Sequence, residues 1–172
     1  ALAEVHRLAN ALIDSGLQPG DRLAILSKNS IEYMLLYFAS SKAGLVTIPL
    51  NYRLAPAEWS YILNDAEVKV LFVAGNYLQD VGTIRSDLKS IEKFIAIDGV
   101  IDGWDEYQNL IADQLETSPV REVTSQDDLF QLYTSGTTGY PKGAVLTHQA
   151  VTTHILQMAL VHNIRPNERL LL

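Results

Sequence analysis

The sequence has 172 residues, which is enough for one domain with its own hydrophobic core. Hydrophobic residues make up 48% of it and charged residues 19%, a balance that is typical of folded rather than disordered chains. The formal net charge of −7 argues against nucleic acid or an anionic membrane as the main partner, and the lack of cysteines excludes disulfides, zinc–thiolate sites and a cysteine nucleophile.

The first part of the chain alternates amphipathic helices with short apolar strands. Apolar residues recur at helical spacing in residues 1–15, and Gly16 is placed to end that helix. Asn29 and Ser30 are both candidate N-caps for the second helix, and Gly44 follows its end. The predicted elements are a helix over 1–15, a strand over 22–26, a helix from 29 or 30 to 43, a strand over 45–50 and a helix over 56–64.

The same alternation continues to residue 146. The predicted elements are a strand over 69–74, a helix over 76–90, a strand over 93–97, a helix over 106–116, a polar loop over 117–128 and strands over 129–133 and 144–146. This order predicts an α/β fold with helices packed on a mostly parallel sheet. Because the strands are apolar and carry few charges, we expect both faces of the sheet to be covered.

Residues 143–164 contain no Asp, Glu, Lys or Arg and are long enough to span a bilayer. Three histidines and several other polar residues interrupt this run, so it predicts a strand followed by a buried helix and no transmembrane segment. The absence of cysteines and of a secretory signal predicts a cytoplasmic protein.

The segment 129–148, LFQLYTSGTTGYPKGAVLTH, carries the strongest chemical signal. Glycines allow close approach of a ligand, successive backbone N–H groups can converge on an anion, and hydroxyls and one lysine add donors. The residues expected to bind polyphosphate are Thr134, Ser135, Gly136, Thr137, Thr138, Gly139 and Lys142. The spacing fits neither a Walker A motif nor GxGxxG. The competing interpretation is a surface hairpin rich in turn residues.

The run YTSGTTGYPKG at 133–143 resembles the phosphate-binding signature of the adenylate-forming (AMP-binding) superfamily. Residues 42–65, KAGLVTIPLNYRLAPAEWSYILND, resemble its acyl-CoA synthetase branch, and 17–26 also match the family pattern. The resemblance implies that 1–172 form part of the large N-terminal ATP/AMP-binding domain of an acyl-CoA synthetase-like fold. It also implies that the small C-terminal domain is absent, so that the chain is an N-terminal fragment, inactive alone.

The resemblance implies a two-step reaction in which ATP and Mg²⁺ activate a carboxylic acid and coenzyme A then accepts the acyl group. The expected substrates are fatty or other acyl acids. Lys142 is the expected catalytic residue, since it would stabilise charge on pyrophosphate. Thr134 is expected near the magnesium ion. His148 is expected either near the acyl pocket or as a hydrogen-bonding residue at a helix N-terminus. The resemblance also allows a homodimer.

Three other features have structural interpretations. Arg53 is expected to hold a loop by pairing with a carboxylate rather than to touch a ligand. The segment around Trp59, Tyr61 and Ile62 is expected to pack in the core, and Asp127 with Asp128 to form a solvated turn. Two alternative functions stay open: an adenylating enzyme with a carrier-protein acceptor, and a non-catalytic nucleotide-binding or scaffold protein. A kinase or NTPase would instead react at the γ-phosphate of ATP, and AMP and pyrophosphate as products would exclude it.

Overall fold

A computed structural model describes residues 1–134 and 139–165. In this part of the chain, helices lie on a sheet with strand order β5-β4-β3-β1-β2-β6-β7. The strands are β1 Arg22–Leu26, β2 Val46–Pro49, β3 Val70–Val73, β4 Lys93–Ala96, β5 Asp105–Glu106, β6 Asp128–Thr134 and β7 Lys142–Thr147. The α-helices are α1 Leu2–Asp14, α2 Ile31–Ala43, α3 Pro56–Asp65, α4 Leu78–Ile84, α5 Tyr107–Ile111 and α6 His148–Val161.

The sheet is parallel from β5 to β6, and β7 pairs antiparallel with β6. This confirms the predicted α/β class with a mostly parallel sheet. Side chains of β1 point alternately to its two faces: Leu23 and Ile25 join one buried cluster with α1 and α2, whereas Ala24 and Leu26 join a second cluster with α3 and α4. Both faces of the central strands are therefore covered, as the apolar strand sequences predicted.

Helix α2 begins and ends where its capping residues predicted. The Ser30 side chain accepts a hydrogen bond from the Tyr33 backbone N–H at 3.1 Å, and this choice decides between the two candidate N-caps. Gly44 ends the helix with a left-handed φ of 70°, a conformation that glycine adopts without steric cost. These caps place the start of β2 directly beside β1.

Two predicted helices are shorter than expected. The region predicted as a helix over 76–90 contains α4 flanked by 3-10 turns at Gly75–Tyr77 and Arg85–Asp87, and no side chain caps the start of α4. The helix predicted over 106–116 ends at Ile111. The segment that follows α5 contacts α1 instead, where the Asn10 amide donates to the carbonyls of Leu115 and Thr117 at 2.9 and 3.0 Å.

Helix α6 corrects the prediction of a buried helix after the last strand. None of its residues is buried, and several large apolar side chains are exposed, among them Ile155 and Leu156. The reason is its place beyond the edge strand β7, which is its main contact among the described elements. No helix in the described residues has the length and apolarity needed to cross a membrane.

Helix α3 lies close to the hairpin of β6 and β7. Pro56 is its first residue, and the Ala55 backbone N–H donates to the Glu58 carboxylate at 2.8 Å, which satisfies a donor at the helix start. Trp59 and Ile62 are each 2% exposed, as predicted for core residues. Tyr61 is only partly buried at the margin of the core, so that expectation was correct for two of the three residues.

Candidate functional site

The described parts of the segment with the strongest chemical signal form the paired strands β6 and β7. In this pair Thr134 lies opposite Lys142, and Tyr133 lies opposite Gly143. Strand β6 also pairs in parallel with β2, so Thr134 stands at the carboxyl end of a parallel strand. Ligands of open α/β sheets bind at this edge. The sequence therefore places its candidate binding residues where the fold accepts a ligand.

Four of the predicted phosphate-binding residues lie outside the described residues: Ser135, Gly136, Thr137 and Thr138. Of the others, Thr134, Gly139 and Lys142 are all exposed. Gly139 has a φ of 100°, which L side chains rarely adopt, so a glycine is required there for conformational reasons. In the described part of the chain, Lys142 has no salt-bridge partner, and its ammonium group is free to meet an anion.

The donor set at this edge fits a magnesium-bound polyphosphate. Thr134 contributes a hydroxyl, which can donate to phosphate or coordinate a cation, and Lys142 contributes a positive charge from the facing strand. A cavity of about 240 Å³ opens beside Thr134, bounded on the helix side by Glu58 and Ile62. Among described residues, no cluster of three or more His, Cys, Asp or Glu side chains could hold a metal ion by itself.

A polar network that runs from buried Gln131 to exposed Asp65 supports the hairpin beside Thr134. Gln131 is 8% exposed, and its amide donates to the Tyr133 hydroxyl at 3.0 Å. A Cβ on Gly143 would lie 2.5 Å from the Gln131 amide nitrogen and 3.0 Å from Tyr133 Cζ. A side chain at position 143 would therefore force the Gln131 amide out of its observed position. This steric effect is distinct from the close ligand approach that the sequence suggested.

The Tyr133 hydroxyl donates in turn to the Asp65 carboxylate at 2.5 Å. This distance is typical of a short, charge-assisted hydrogen bond. Burial, followed by the hydrogen bond to Asp65, raises the pKa of Tyr133 above its ordinary value. A phenol is protonated at neutral pH even without this shift, so Tyr133 can donate to Asp65 there.

A second contact joins α3 to the other side of the hairpin. The rings of Tyr61 and Tyr140 are stacked, with centroids 5.2 Å apart and an interplanar angle of 29°. The sequence did not single out Asp65, Gln131 or Tyr140 as site residues. Their signal lies in pairs that are far apart in the chain, with Asp65 and Tyr133 separated by 68 positions, so no local pattern could reveal it.

His148 lies at the opposite end of β7 from Lys142, roughly 20 Å away at the usual rise per strand residue. It is the first residue of α6, and its backbone N–H donates to the Asp127 carbonyl at 3.0 Å. Its Nε2 is buried and has no hydrogen-bond partner within the described ranges. The structure therefore does not bring His148 together with the phosphate-binding residues, and its substrate role stays a prediction.

Arg53 and Asp127, for which the sequence predicted structural roles, lie outside the phosphate-binding residues. The Arg53 guanidinium lies 5.5 Å from the centroid of the Tyr52 ring, and it forms no ion pair in residues 1–134 and 139–165, so its pairing with a carboxylate stays a prediction. Asp127 accepts from the Thr124 backbone N–H at 2.7 Å and from its hydroxyl at 3.0 Å, which confirms the turn for Asp127, whereas Asp128 is the first residue of β6.

Comparison with known proteins agrees with this geometry. A family model described as AMP-binding enzyme matches residues 1–172. The chain belongs to the AMP-binding enzyme family. Membership confirms the resemblance carried by residues 133–143 and 42–65.

Two relatives in the AMP-binding family are long-chain fatty-acid–CoA ligases. FadD13 of Mycobacterium tuberculosis is 35% identical over 173 residues, a match that covers 99% of this chain and 33% of the relative. The ligase of Thermus thermophilus is 37% identical, over 97% of this chain and 31% of the relative. The chain thus spans about a third of the length of the curated relatives it matches.

Solved structures give the same fold. The inhibitor-bound N-terminal domain of FACL13 from Mycobacterium tuberculosis has a TM-score of 0.89 and 34% identity, over 99% of this chain and 42% of that one. The anthranilate CoA ligase AuaEII, in complex with anthranoyl-AMP, has a TM-score of 0.82 and 30% identity, over 86% and 29%. The fold is therefore that of part of the N-terminal domain of acyl-CoA ligases.

Proposed function

We propose that this chain contributes the phosphate-binding part of an acid–thiol ligase, which activates a carboxylic acid with ATP and transfers the acyl group to coenzyme A. The observation that carries the proposal is the hairpin end, where Thr134 and Lys142 face each other at the carboxyl edge of a parallel sheet, within an AMP-binding family signature. The named relatives, which are fatty-acid–CoA ligases, support the class of reaction.

In the proposed first step, a carboxylate oxygen of the acid forms a bond to the α-phosphorus of ATP. The bond from that phosphorus to the bridging oxygen breaks, and pyrophosphate leaves with the electron pair. In the second step, the sulfur of coenzyme A bonds to the acyl carbon, its proton is released, and AMP leaves. Negative charge grows on pyrophosphate in the first step, which is where a nearby cation lowers the barrier.

We assign Lys142 to that stabilisation, together with the predicted donors Ser135, Gly136, Thr137, Thr138 and Gly139. Thr134 is assigned to the phosphates and to Mg²⁺, which would neutralise the phosphate charge when bound. Exposure of Thr134 and Lys142 supports these roles, because neither side chain is committed to the core. The cysteine-free composition agrees with a reducing compartment, and we place the enzyme in the cytoplasm.

A second candidate function is acyl transfer to a carrier protein. A relative named as a fatty acid–[acyl-carrier-protein] ligase, from Streptomyces coeruleorubidus, is 37% identical over 150 residues, which cover 86% of this chain and 27% of the relative. Both candidates share the first step and differ only in the thiol that accepts the acyl group.

Product analysis tests the proposal. The natural gene product that carries this chain is incubated with Mg-ATP, a panel of fatty, aromatic and amino acids, and either coenzyme A or a carrier protein. We expect AMP, pyrophosphate and an acyl-CoA thioester with one class of acid. Formation of ADP instead would contradict the proposal, and it would favour an NTPase if inorganic phosphate is released or a kinase if the acid is phosphorylated.

A further inference from the structure

One face of α3 contacts the hairpin on both sides of its exposed end. Tyr61 and Asp65 are four residues apart on this helix, so their side chains project from the same face. Asp65 accepts the hydrogen bond from Tyr133 on β6, and Tyr61 stacks on Tyr140, just before β7 begins. Both contacts involve residues that adjoin the candidate phosphate-binding positions in sequence.

We propose that α3 positions Thr134 and Lys142 for the phosphates of ATP, through the Asp65–Tyr133 hydrogen bond and the Tyr61–Tyr140 stack. This inference rests on the proposed function, since it names residues that act through others at the same site. Asp65 and Tyr61 are positioning residues, because neither is assigned a contact with ATP.

The hydrogen bond to Asp65 holds the end of β6, where Thr134 is the last residue. The Tyr133 hydroxyl donates to Asp65 at 2.5 Å and accepts from the Gln131 amide at 3.0 Å, so the ring is held by two hydrogen bonds on one oxygen. Thr134 follows Tyr133 directly in the chain. A shift of the ring would therefore move the backbone that carries the Thr134 hydroxyl.

The Tyr61 contact acts in the same way near Lys142. Tyr140 is 69% exposed, so its ring contributes little to the core, yet it stacks on Tyr61 in an offset aromatic geometry. Only Pro141 separates Tyr140 from Lys142, and its ring restricts the backbone between them. Holding Tyr140 therefore limits the positions open to Lys142.

The Asp65 and Tyr140 contacts lie at the surface, so a positioning role can be distinguished experimentally from a contribution to folding stability. Asp65 and Tyr140 are both exposed, and substitutions at exposed positions change folding stability little. A purely structural pair would leave nucleotide binding unchanged when removed. A positioning pair would change the KM for ATP and the rate of the first step, and it would leave the KM for the acid unchanged.

The test is a double-mutant cycle on Asp65→Ala and Tyr133→Phe in the natural gene product. We measure the KM for Mg-ATP in pyrophosphate exchange, the Kd for Mg-ATP by calorimetry, and the Tm. Each single variant is expected to raise the KM and the Kd for Mg-ATP by about tenfold, and the double variant by no more than either single one. Asp65→Asn keeps an acceptor for the Tyr133 hydroxyl and is expected to recover most of the loss.

Two substitutions serve as matched controls. Tyr107→Phe removes a buried hydroxyl that has no hydrogen-bond partner in the described part of the chain, and Asp113→Asn neutralises an exposed carboxylate away from the hairpin. Both are expected to match the wild type in the KM and the Kd for Mg-ATP. Equal effects from the controls and the test variants would overturn the proposal.

The stacking contact has its own pair of variants. Tyr140→Phe keeps an aromatic ring over Tyr61 and is expected to bind Mg-ATP like the wild type, whereas Tyr140→Ala is expected to weaken binding severalfold. Since Tyr140 is exposed, Tyr140→Ala should fold even if the Asp65 variants do not. Equal Mg-ATP affinities for Tyr140→Ala and Tyr140→Phe would contradict the role of the stack.

The outcomes separate this inference from the proposed function. If the wild type exchanges pyrophosphate and the variants match it, the positioning role is refuted and the ligase proposal stands. If the wild type shows no exchange with any acid, the ligase proposal fails. In that case the Kd values for Mg-ATP of the Asp65→Ala, Tyr133→Phe and double variants still test the positioning role. Additive effects of the two substitutions on that Kd, or no effects, would refute it.

Discussion

Replacement of Lys142 by alanine tests the residue expected to stabilise charge on pyrophosphate. Lys142 is exposed at the first position of β7, so its loss should change the free energy of unfolding by less than about 0.5 kcal/mol. For a chain of this size that corresponds to a Tm shift of at most about 2 °C. Removal of one group that stabilises developing negative charge lowers kcat by about 100-fold or more. Because solvent screens an exposed lysine, we expect a loss near 100-fold.

The assay is carboxylate-dependent exchange of labelled pyrophosphate into ATP by the natural gene product, with the Tm measured in parallel. Lys89→Ala is the matched control, since it removes an exposed lysine outside the hairpin and keeps the backbone N–H that donates to Asn64, and it should exchange at the wild-type rate. Exchange by Lys142→Ala at the wild-type rate would refute the assigned role. A large fall in Tm would show instead that Lys142 contributes to folding.

Three further predictions concern Gly143, Arg121 and Asp127. Gly143→Ala should lower stability by about 1–2 kcal/mol in chemical denaturation, because the new methyl group displaces the Gln131 amide; wild-type stability would refute the steric argument. Arg121→Ala should lower stability by about 2 kcal/mol with an unchanged KM for ATP, because its guanidinium donates to two backbone carbonyls; a changed KM would contradict this. Hydrogen bonds from Thr124 hold the pKa of Asp127 in the folded protein below its usual range. The ionised Asp127 carboxylate therefore stabilises the folded state fully at pH values above its pKa in the unfolded chain. This contribution is lost as the pH falls through its pKa in the folded protein. The Tm difference between the wild type and Asp127→Asn should therefore shrink at pH values below about 4, and a constant difference would refute the assignment.

Strands and well-capped helices were predictable because their signals are local. Helix α2 carries a serine N-cap and a glycine at its end, so its limits follow from the sequence. The apolar runs of β1 and β3 are buried on both faces, which is the environment their composition indicated. The phosphate-binding signature was recognisable for the same reason, since its residues are contiguous.

Features that depend on distant contacts could not be predicted. Helix α5 ends early because His6 and Asn10 of α1 bind backbone carbonyls of 115–117, where the sequence indicated a continued helix. The exposure of α6 likewise depends on which elements lie next to it. The Asp65–Tyr133 hydrogen bond joins residues on a helix and a strand, so it became visible only in the folded chain.

Carboxylate-dependent exchange of pyrophosphate into ATP is the most direct assay for the proposed activation of a carboxylic acid, because this exchange requires reversible formation of an acyl-adenylate. The natural gene product is assayed with a panel of fatty, aromatic and amino acids, in the presence of Mg²⁺ and without coenzyme A. We expect exchange with one class of acid, which would identify the substrate class as well. Binding of Mg-ATP without exchange for any acid would contradict it and support a non-catalytic nucleotide-binding protein.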